Sequence, residues 1–85
     1  SLAWARVPAR RSTRPHRLAS SEVYYILAGE GEMHIEPEKK TIGPGHVVYI
    51  PPGSRQWIEN TGQDELRFLC IVDPAWRPED EEVPA

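Results

Sequence analysis

The sequence predicts an all-β domain, built as a β-barrel or jelly roll of about eight short strands. Helical periodicity is nearly absent from the 85 residues, and the apolar residues come in short runs that Gly, Pro, Ser and Asn interrupt. Turn-forming sequences such as Gly43-Pro44-Gly45 and Pro51-Pro52-Gly53 separate the runs. Strands of this length and spacing favour a barrel or a jelly roll, because closure removes exposed strand edges.

The turn sequences define the predicted strands. In chain order these are Leu2–Val7, Thr13–Leu18, Glu22–Ala28, Glu32–Glu36, Lys39–Ile42, Val47–Ile50, Gln56–Asn60 and Leu66–Val72. Successive side chains of a strand point to opposite faces, which places Glu22, Tyr24 and Ile26 together on the interior side. The same rule places Gln56, Ile58 and Asn60 on one interior side. We predict that residues 1–76 form the barrel and that the acidic, Pro-rich residues 77–85 form a C-terminal tail.

Two of these strands are apolar on both faces, namely the ones around Tyr25 and Ile71. A strand with one wet face would alternate apolar and polar residues. Their outer faces therefore need cover from a second sheet, from the tail around Trp76, or from another subunit. We predict a homodimer on this ground.

Length and hydropathy limit the class of protein. A chain of 85 residues is long enough for one domain, and no apolar run approaches the roughly 20 residues that span a bilayer. The opening residues are too short and too polar-flanked to serve as a signal peptide. The single cysteine, Cys70, excludes an internal disulfide and a Cys-cluster zinc site, and it is predicted to be a small buried hydrophobe instead of a nucleophile. These features fit a reducing, cytoplasmic location.

The net charge of −3 is unevenly distributed. Half of the ten basic residues precede Glu22 and are Arg6, Arg10, Arg11, Arg14 and Arg17. An arginine-rich arm can bind phosphate or nucleic acid. Here the arginines alternate with strand-like residues and no series of stacking aromatics follows, which favours solvated strand edges and disfavours nucleic acid as a partner.

The stretch from Glu22 to Asn60 resembles the two motifs of the cupin superfamily. Glu22 lies six residues ahead of the turn that contains Gly29, and Gly45 begins a Gly-x5-Pro-x-Gly pattern that ends at Gly53. The resemblance covers about residues 2–76 and implies a small β-barrel that holds metal ligands inside. Cupins of the usual type supply two histidines spaced His-x-His, the glutamate, and a third histidine after the Pro-x-Gly turn.

The chain matches the cupin ligand pattern in part. His16 occupies the first histidine position, Leu18 the second, and Gln56 the third. The resemblance therefore implies His16, Glu22 and Gln56 as ligands of a divalent metal ion of unspecified identity, with affinity reduced because an amide oxygen is a weak donor. Two other interpretations stay open. The three groups could hydrogen-bond a small polar ligand without a metal, or they could be satisfied structural polar groups.

Other candidate residues are weaker. Tyr24 shares the side of Glu22 and is a candidate proton donor, although such a tyrosine is more often core. His34 is predicted on the sheet surface and His46 in a surface turn. Arg14, Arg17 and Arg55 flank the candidate ligands in sequence, but Arg17 and Arg55 adjoin inward residues and should point outward.

The resemblance implies a small-molecule-binding cupin with a degenerate metal site, which could act as a metal-dependent enzyme on a sugar or an organic acid. A non-catalytic, metal-free binding or accessory dimeric module is the alternative. Fold alone does not choose a reaction.

Overall fold

The computed structural model describes residues 1–73 and 81–82, and all regular structure within them is β. The strands are β1 (Leu2–Val7), β2 (Arg17–Leu18), β3 (Ser21–Ala28), β4 (Gly31–Ile35), β5 (Glu38–Ile42), β6 (Val47–Ile50), β7 (Gln56–Asn60), β8 (Leu66–Asp73) and β9 (Glu81–Glu82). The predicted all-β barrel is thereby confirmed. No helix in the described residues is long and apolar enough to cross a bilayer.

The strands form two main antiparallel sheets. The first has the order β1-β8-β3-β6 and the second the order β5-β4-β7, while β2 and β9 form a small third pair. Single bridges from Ser12 to Glu59 and from His16 to Gln56 place the segment before β2 along the free side of β7. The second sheet thus gains a partial fourth strand, which carries His16.

The predicted strand over Thr13–Leu18 is the one that differs most from the structure. Only Arg17–Leu18 is a regular strand, and it pairs with Glu81–Glu82. The earlier part bonds to β7 at separated points, through Thr13 N–H to the Ile58 carbonyl at 3.0 Å and His16 N–H to the Gln56 carbonyl at 3.0 Å. His16 exchanges both backbone hydrogen bonds with Gln56, whereas Thr13 bonds to Ile58, so three residue steps of this segment face two of β7 and the offset interrupts the ladder.

The core lies between the two main sheets and follows the predicted alternation. Its fully buried members include Ile26 of β3, Ile58 of β7 and Leu66 of β8. Tyr24 packs on Phe68 with ring centroids 4.5 Å apart. The alternation that buries Ile26 and Ile58 also buries Glu22 and Gln56, so the strands deliver polar side chains into the apolar interior.

The outer face of the first sheet is apolar, as the doubly apolar strands predicted. Register aligns its side chains in two rows across all four strands. One row is Leu2, Ile71, Val23 and Tyr49, and the other is Trp4, Leu69, Tyr25 and Val47. Trp4 is 73 % exposed, Leu2 64 % and Tyr49 59 % exposed. The predicted cover by Trp76 concerns a residue outside the described ones.

Candidate functional site

Among the described residues, four polar side chains are buried in the barrel, and two of them are predicted ligands. Glu22 is 3 % exposed and Gln56 1 %, with Asn60 and Ser20 buried as well. Buried polar groups are costly unless they are hydrogen-bonded. The partners of Glu22 and Gln56 therefore define what this part of the barrel can do.

The two sheets contribute the site residues from opposite sides. His16 and Gln56 form a backbone-bonded pair at the margin of the second sheet, with N–H to carbonyl distances of 3.0 and 2.9 Å. Glu22, Tyr24 and Cys70 come from neighbouring strands of the first sheet, where Tyr24 is in register with Cys70. The five side chains meet between the sheets, and we call them the barrel network.

The Gln56 amide is the centre of the barrel network. Its Nε2 donates to Glu22 Oε1 at 2.5 Å and lies 3.0 Å from His16 Nε2, while its Oε1 accepts from the Tyr24 hydroxyl at 3.3 Å. His16 Nδ1 lies 3.0 Å from the Arg14 carbonyl, which can only accept. That contact fixes the proton on Nδ1 and leaves Nε2 of the neutral ring as an acceptor for the amide.

Cys70 belongs to the network, which the sequence did not show. Its Sγ donates to Glu22 Oε2 at 3.1 Å, so the carboxylate accepts from Gln56 on one oxygen and from Cys70 on the other. Burial, followed by the hydrogen bond to Glu22 and the charge of Glu22, raises the pKa of the Cys70 thiol from 9.0 to about 12. The thiol stays protonated at neutral pH. Cys70 was predicted to be a small buried hydrophobe, but it is half-buried and donates to a carboxylate.

The structure brings together the three predicted ligands His16, Glu22 and Gln56. His16 Nε2 lies 4.0 Å from Glu22 Oε1, and Gln56 bridges them. Tyr24, the predicted proton donor, contacts the same amide. Leu18, at the second histidine position of the resemblance, is buried and supplies no donor atom.

Asn60 has a structural role that alternation alone did not specify. Its Nδ2 donates to the carbonyls of Val7 and Asp64 at 2.9 and 2.8 Å, and its Oδ1 accepts from Gly62 N–H at 2.9 Å. This side chain joins β1, the end of β7 and the following turn. It therefore stabilises the barrel wall and lies outside the barrel network.

The other basic side chains that the sequence analysis considered lie at the surface of the described part of the chain. His46 is exposed in its turn, where Nδ1 accepts from Gly43 N–H at 2.9 Å. Arg14 and Arg17 are exposed, and Arg55 pairs with Glu36, as outward-pointing residues would. The five N-terminal arginines are likewise all exposed. His34 lies on the outer face of the second sheet against Trp57, with ring centroids 4.4 Å apart.

Comparison with known proteins identifies relatives of the whole barrel. The family model for the cupin domain matches residues 3–72. An uncharacterized protein of Methanocaldococcus jannaschii is 42 % identical over 84 residues, which cover 98 % of this chain and 67 % of that protein. An oxalate-binding protein of Thermotoga maritima is 41 % identical over 51 residues, which cover 60 % of this chain and 42 % of that protein.

Solved structures agree with the family match. The crystal structure of a predicted oxalate decarboxylase from Thermotoga maritima superposes with a TM-score of 0.79 and 35 % identity. The superposition covers 84 % of this chain and 63 % of that one. The chain therefore spans less than two thirds of the length of these Thermotoga relatives.

Proposed function

Because the chain belongs to the cupin superfamily, we propose that its barrel binds a small organic acid through a divalent cation held by His16, Glu22 and Gln56. The observation that carries the proposal is the convergence of these three side chains on one buried point between the sheets. The oxalate-binding relative supports the class of ligand. The proposal extends to the activity of any longer protein that contains this barrel.

The donor atoms fit a divalent cation. His16 Nε2 and Glu22 Oε1 are 4.0 Å apart, within reach of one ion when metal–ligand bonds are about 2.0–2.2 Å long. The contact between Nδ1 and the Arg14 carbonyl orients the ring and leaves Nε2 to bind the metal. Metal-bound histidines commonly make such a contact through their second ring nitrogen. Waters or the ligand would complete the coordination, since Leu18 adds nothing.

Gln56 can change from hydrogen-bond donor to metal ligand by a rotation of its amide. In the structure its NH2 group satisfies His16 and Glu22. A half-turn of the amide would direct Oε1 at the cation and NH2 at Tyr24, whose hydroxyl can accept as well as donate. The cation would then replace two N–H contacts, which makes the site weaker than one with a histidine at this position.

Because Glu22 is negatively charged, an anionic ligand can bind in the barrel only together with a cation. A carboxylate ligand in the barrel would face the buried Glu22 carboxylate, and like charges in a poorly solvated site repel strongly. A divalent cation between them reverses that interaction. When bound, such a cation would act as a Lewis acid on a carboxylate or hydroxy-carbonyl group. Tyr24 is then the group we propose as a proton donor, because its hydroxyl reaches the Gln56 amide.

Metal analysis of tag-free protein, purified without chelator, tests the proposal. The measurement is best made in the His34→Gln background, so that the surface histidine adds no metal. We expect Gln56→His to raise the content and affinity of bound Mn²⁺ or Zn²⁺ by at least tenfold, whereas Gln63→His, an exposed control, leaves both unchanged. Calorimetry should show oxalate binding with metal and none after chelation. Equal metal content in Gln56→His and wild type would contradict the site.

A metal-free site for a neutral polar ligand is the second candidate. Gln56 uses both sides of its amide for hydrogen bonds to protein side chains, and those groups can bond hydroxyls as well. Binding of a sugar that persists in EDTA, together with no oxalate binding, would favour this candidate over the first.

We also propose that the apolar face of the first sheet forms a homodimer. The two rows led by Leu2 and Trp4 cross all four strands and leave aromatic side chains exposed. Contiguous exposed apolar side chains of this kind mark interaction sites, and a stable two-fold interface would bury more than about 1,200 Å² in total. The domain limits at residues 76 and 77 and a cytoplasmic location stay predictions.

A further inference from the structure

The outer face of the second sheet carries a group of titratable side chains unrelated to the barrel network. Glu32 and His34 lie two residues apart on β4, so they share a face. Glu59 and Trp57 of β7 lie directly opposite them in register, Glu59 beside Glu32 and Trp57 beside His34. We call Glu32, His34 and Glu59 the outer cluster.

The ligand atoms of the outer cluster are spaced as metal ligands are. His34 Nε2 lies 3.1 Å from Glu32 Oε1 and 3.5 Å from Glu59 Oε1. One ligand atom from each of the three residues lies within 4.8 Å of the other two. Two ligands on a tetrahedral zinc ion with bonds of about 2.1 Å are separated by about 3.4 Å. The two His–Glu separations lie close to that value.

The surroundings of His34 Nε2 suit a nitrogen that binds a metal ion. The atom is shielded from solvent and makes no hydrogen bond in the described part of the chain, although the two carboxylate oxygens are close. A hydrogen bond needs the acceptor near the N–H axis. Oxygens that share a metal with the ring lie off that axis, as tetrahedral geometry requires. The two close oxygens make no hydrogen bond with Nε2, which leaves that nitrogen for a shared ion.

Charge gives an independent reason for a cation. Glu32 and Glu59 are directly opposed on neighbouring strands, and like charges in that relation destabilise a sheet. Within residues 1–73 and 81–82, the ion pairs of both glutamates are with His34. Lys39 is in register with His34 on β5 and is exposed. A divalent cation at Nε2 would neutralise both carboxylates at once.

We propose that Glu32, His34 and Glu59 bind Zn²⁺ at the surface of the second sheet. One imidazole and two carboxylates suit zinc with an open position for water or an external ligand. The site is separate from the proposed organic-acid site, because the outer cluster lies on the opposite face of β4 and β7 from Gln56 and Met33. The proposal stands whether or not the barrel binds a metal.

Trp57 provides a local reporter for the test. Its ring stacks on His34 at 4.4 Å with an interplanar angle of 11°, so an ion on His34 should change its emission. Trp4→Phe with Trp76→Phe leaves Trp57 as the remaining tryptophan of the three. Zn²⁺ is titrated into this tag-free protein while fluorescence and heat are recorded.

We expect a saturable change in Trp57 emission with one equivalent of Zn²⁺. His34→Gln and Glu59→Gln should each weaken binding at least tenfold, and the exposed control His46→Gln should leave it unchanged. Glu59 is 47 % exposed, so Glu59→Gln keeps the test decisive if His34→Gln unfolds. Equal Zn²⁺ affinity in wild type and Glu59→Gln, or a loss in His46→Gln, would overturn the proposal. No saturable change in the wild type would do the same.

Discussion

Glu22→Gln is expected to make the Cys70 thiol more reactive, because Glu22 contributes to the raised pKa of that thiol. Cys70 Sγ donates to Glu22 Oε2 at 3.1 Å. The pKa of the thiol rises from 9.0 to about 12 because of burial first, then because of the hydrogen bond and the negative charge of Glu22. Removal of the charge cancels the last of these causes and weakens the second, while burial remains.

A rise of this size lowers the thiolate fraction at pH 8 about a thousandfold, since each pKa unit is a factor of ten. The thiolate is the reactive form, so alkylation of native protein by iodoacetamide should be slower than that of urea-unfolded protein by at least this factor. The native rate should increase about tenfold per pH unit from pH 7 to beyond pH 10. In Glu22→Gln the native rate should rise at least tenfold.

The assay follows alkylation by mass spectrometry in native protein, with Gln63→Glu as a surface control that keeps the thiol slow. Rates measured at several low urea concentrations separate reaction of the native state from reaction through unfolding. A native rate that levels off near pH 9, or one that Glu22→Gln leaves unchanged, would refute the role of Glu22.

The same shift has a consequence for stability. The folded state keeps its thiol proton up to a pKa of about 12, whereas the unfolded chain loses it near 9.0. The unfolded state therefore binds fewer protons between these values, and stability falls as pH rises through that window. Below the unfolded pKa this contribution is fully present.

Two further predictions concern turns and assembly. Gly29→Ala should lower stability more than Gly53→Ala. Both glycines have positive φ, which costs a residue with a Cβ about 1–2 kcal/mol. A Cβ at Gly29 would also lie 2.8 Å from the Glu65 carbonyl and Leu66 Cα, whereas nothing lies within 4 Å of one at Gly53. Equal melting temperatures for the two variants would contradict this, and Gly62→Ala is the mild control. For assembly, light scattering should give dimers for wild type and Lys39→Glu but monomers for Trp4→Glu and Tyr49→Glu; a monomeric wild type at micromolar concentration would refute the interface.

The strand pattern and the inward side chains could be predicted because alternation is a local property. Turn residues such as Pro51-Pro52-Gly53 mark strand ends, and a period of two then assigns Glu22 and Gln56 to the interior. The structure confirms strand bounds such as Val47–Ile50 and Gln56–Asn60. The positive φ of 79° at Gly53 also agrees with the conformation expected there.

The contacts that could not be predicted from the sequence depend on strand register, which the sequence of one strand does not specify. Cys70 reaches Glu22 because β8 pairs with β3 in the register that sets Cys70 against Tyr24. His34 meets Glu59 because β4 and β7 pair with Glu32 opposite Glu59. Two unlike strands far apart in sequence can pair in many offsets, so neither contact follows from composition or alternation.

The two proposed cation sites differ in what a cation must displace. In the barrel, Gln56 already satisfies His16 and Glu22, so an ion must break two contacts and turn the amide before it binds. On the surface, His34 Nε2 makes no hydrogen bond among the described residues, and the ion relieves repulsion between Glu32 and Glu59.

The outer cluster should therefore bind the first equivalent of Zn²⁺, although its residues are more exposed than Glu22 and Gln56. An organic acid should shift this preference towards the barrel site, because its carboxylate adds ligands to the ion there and excludes water from it. Oxalate should then strengthen metal binding in His34→Gln protein, where the barrel site alone remains.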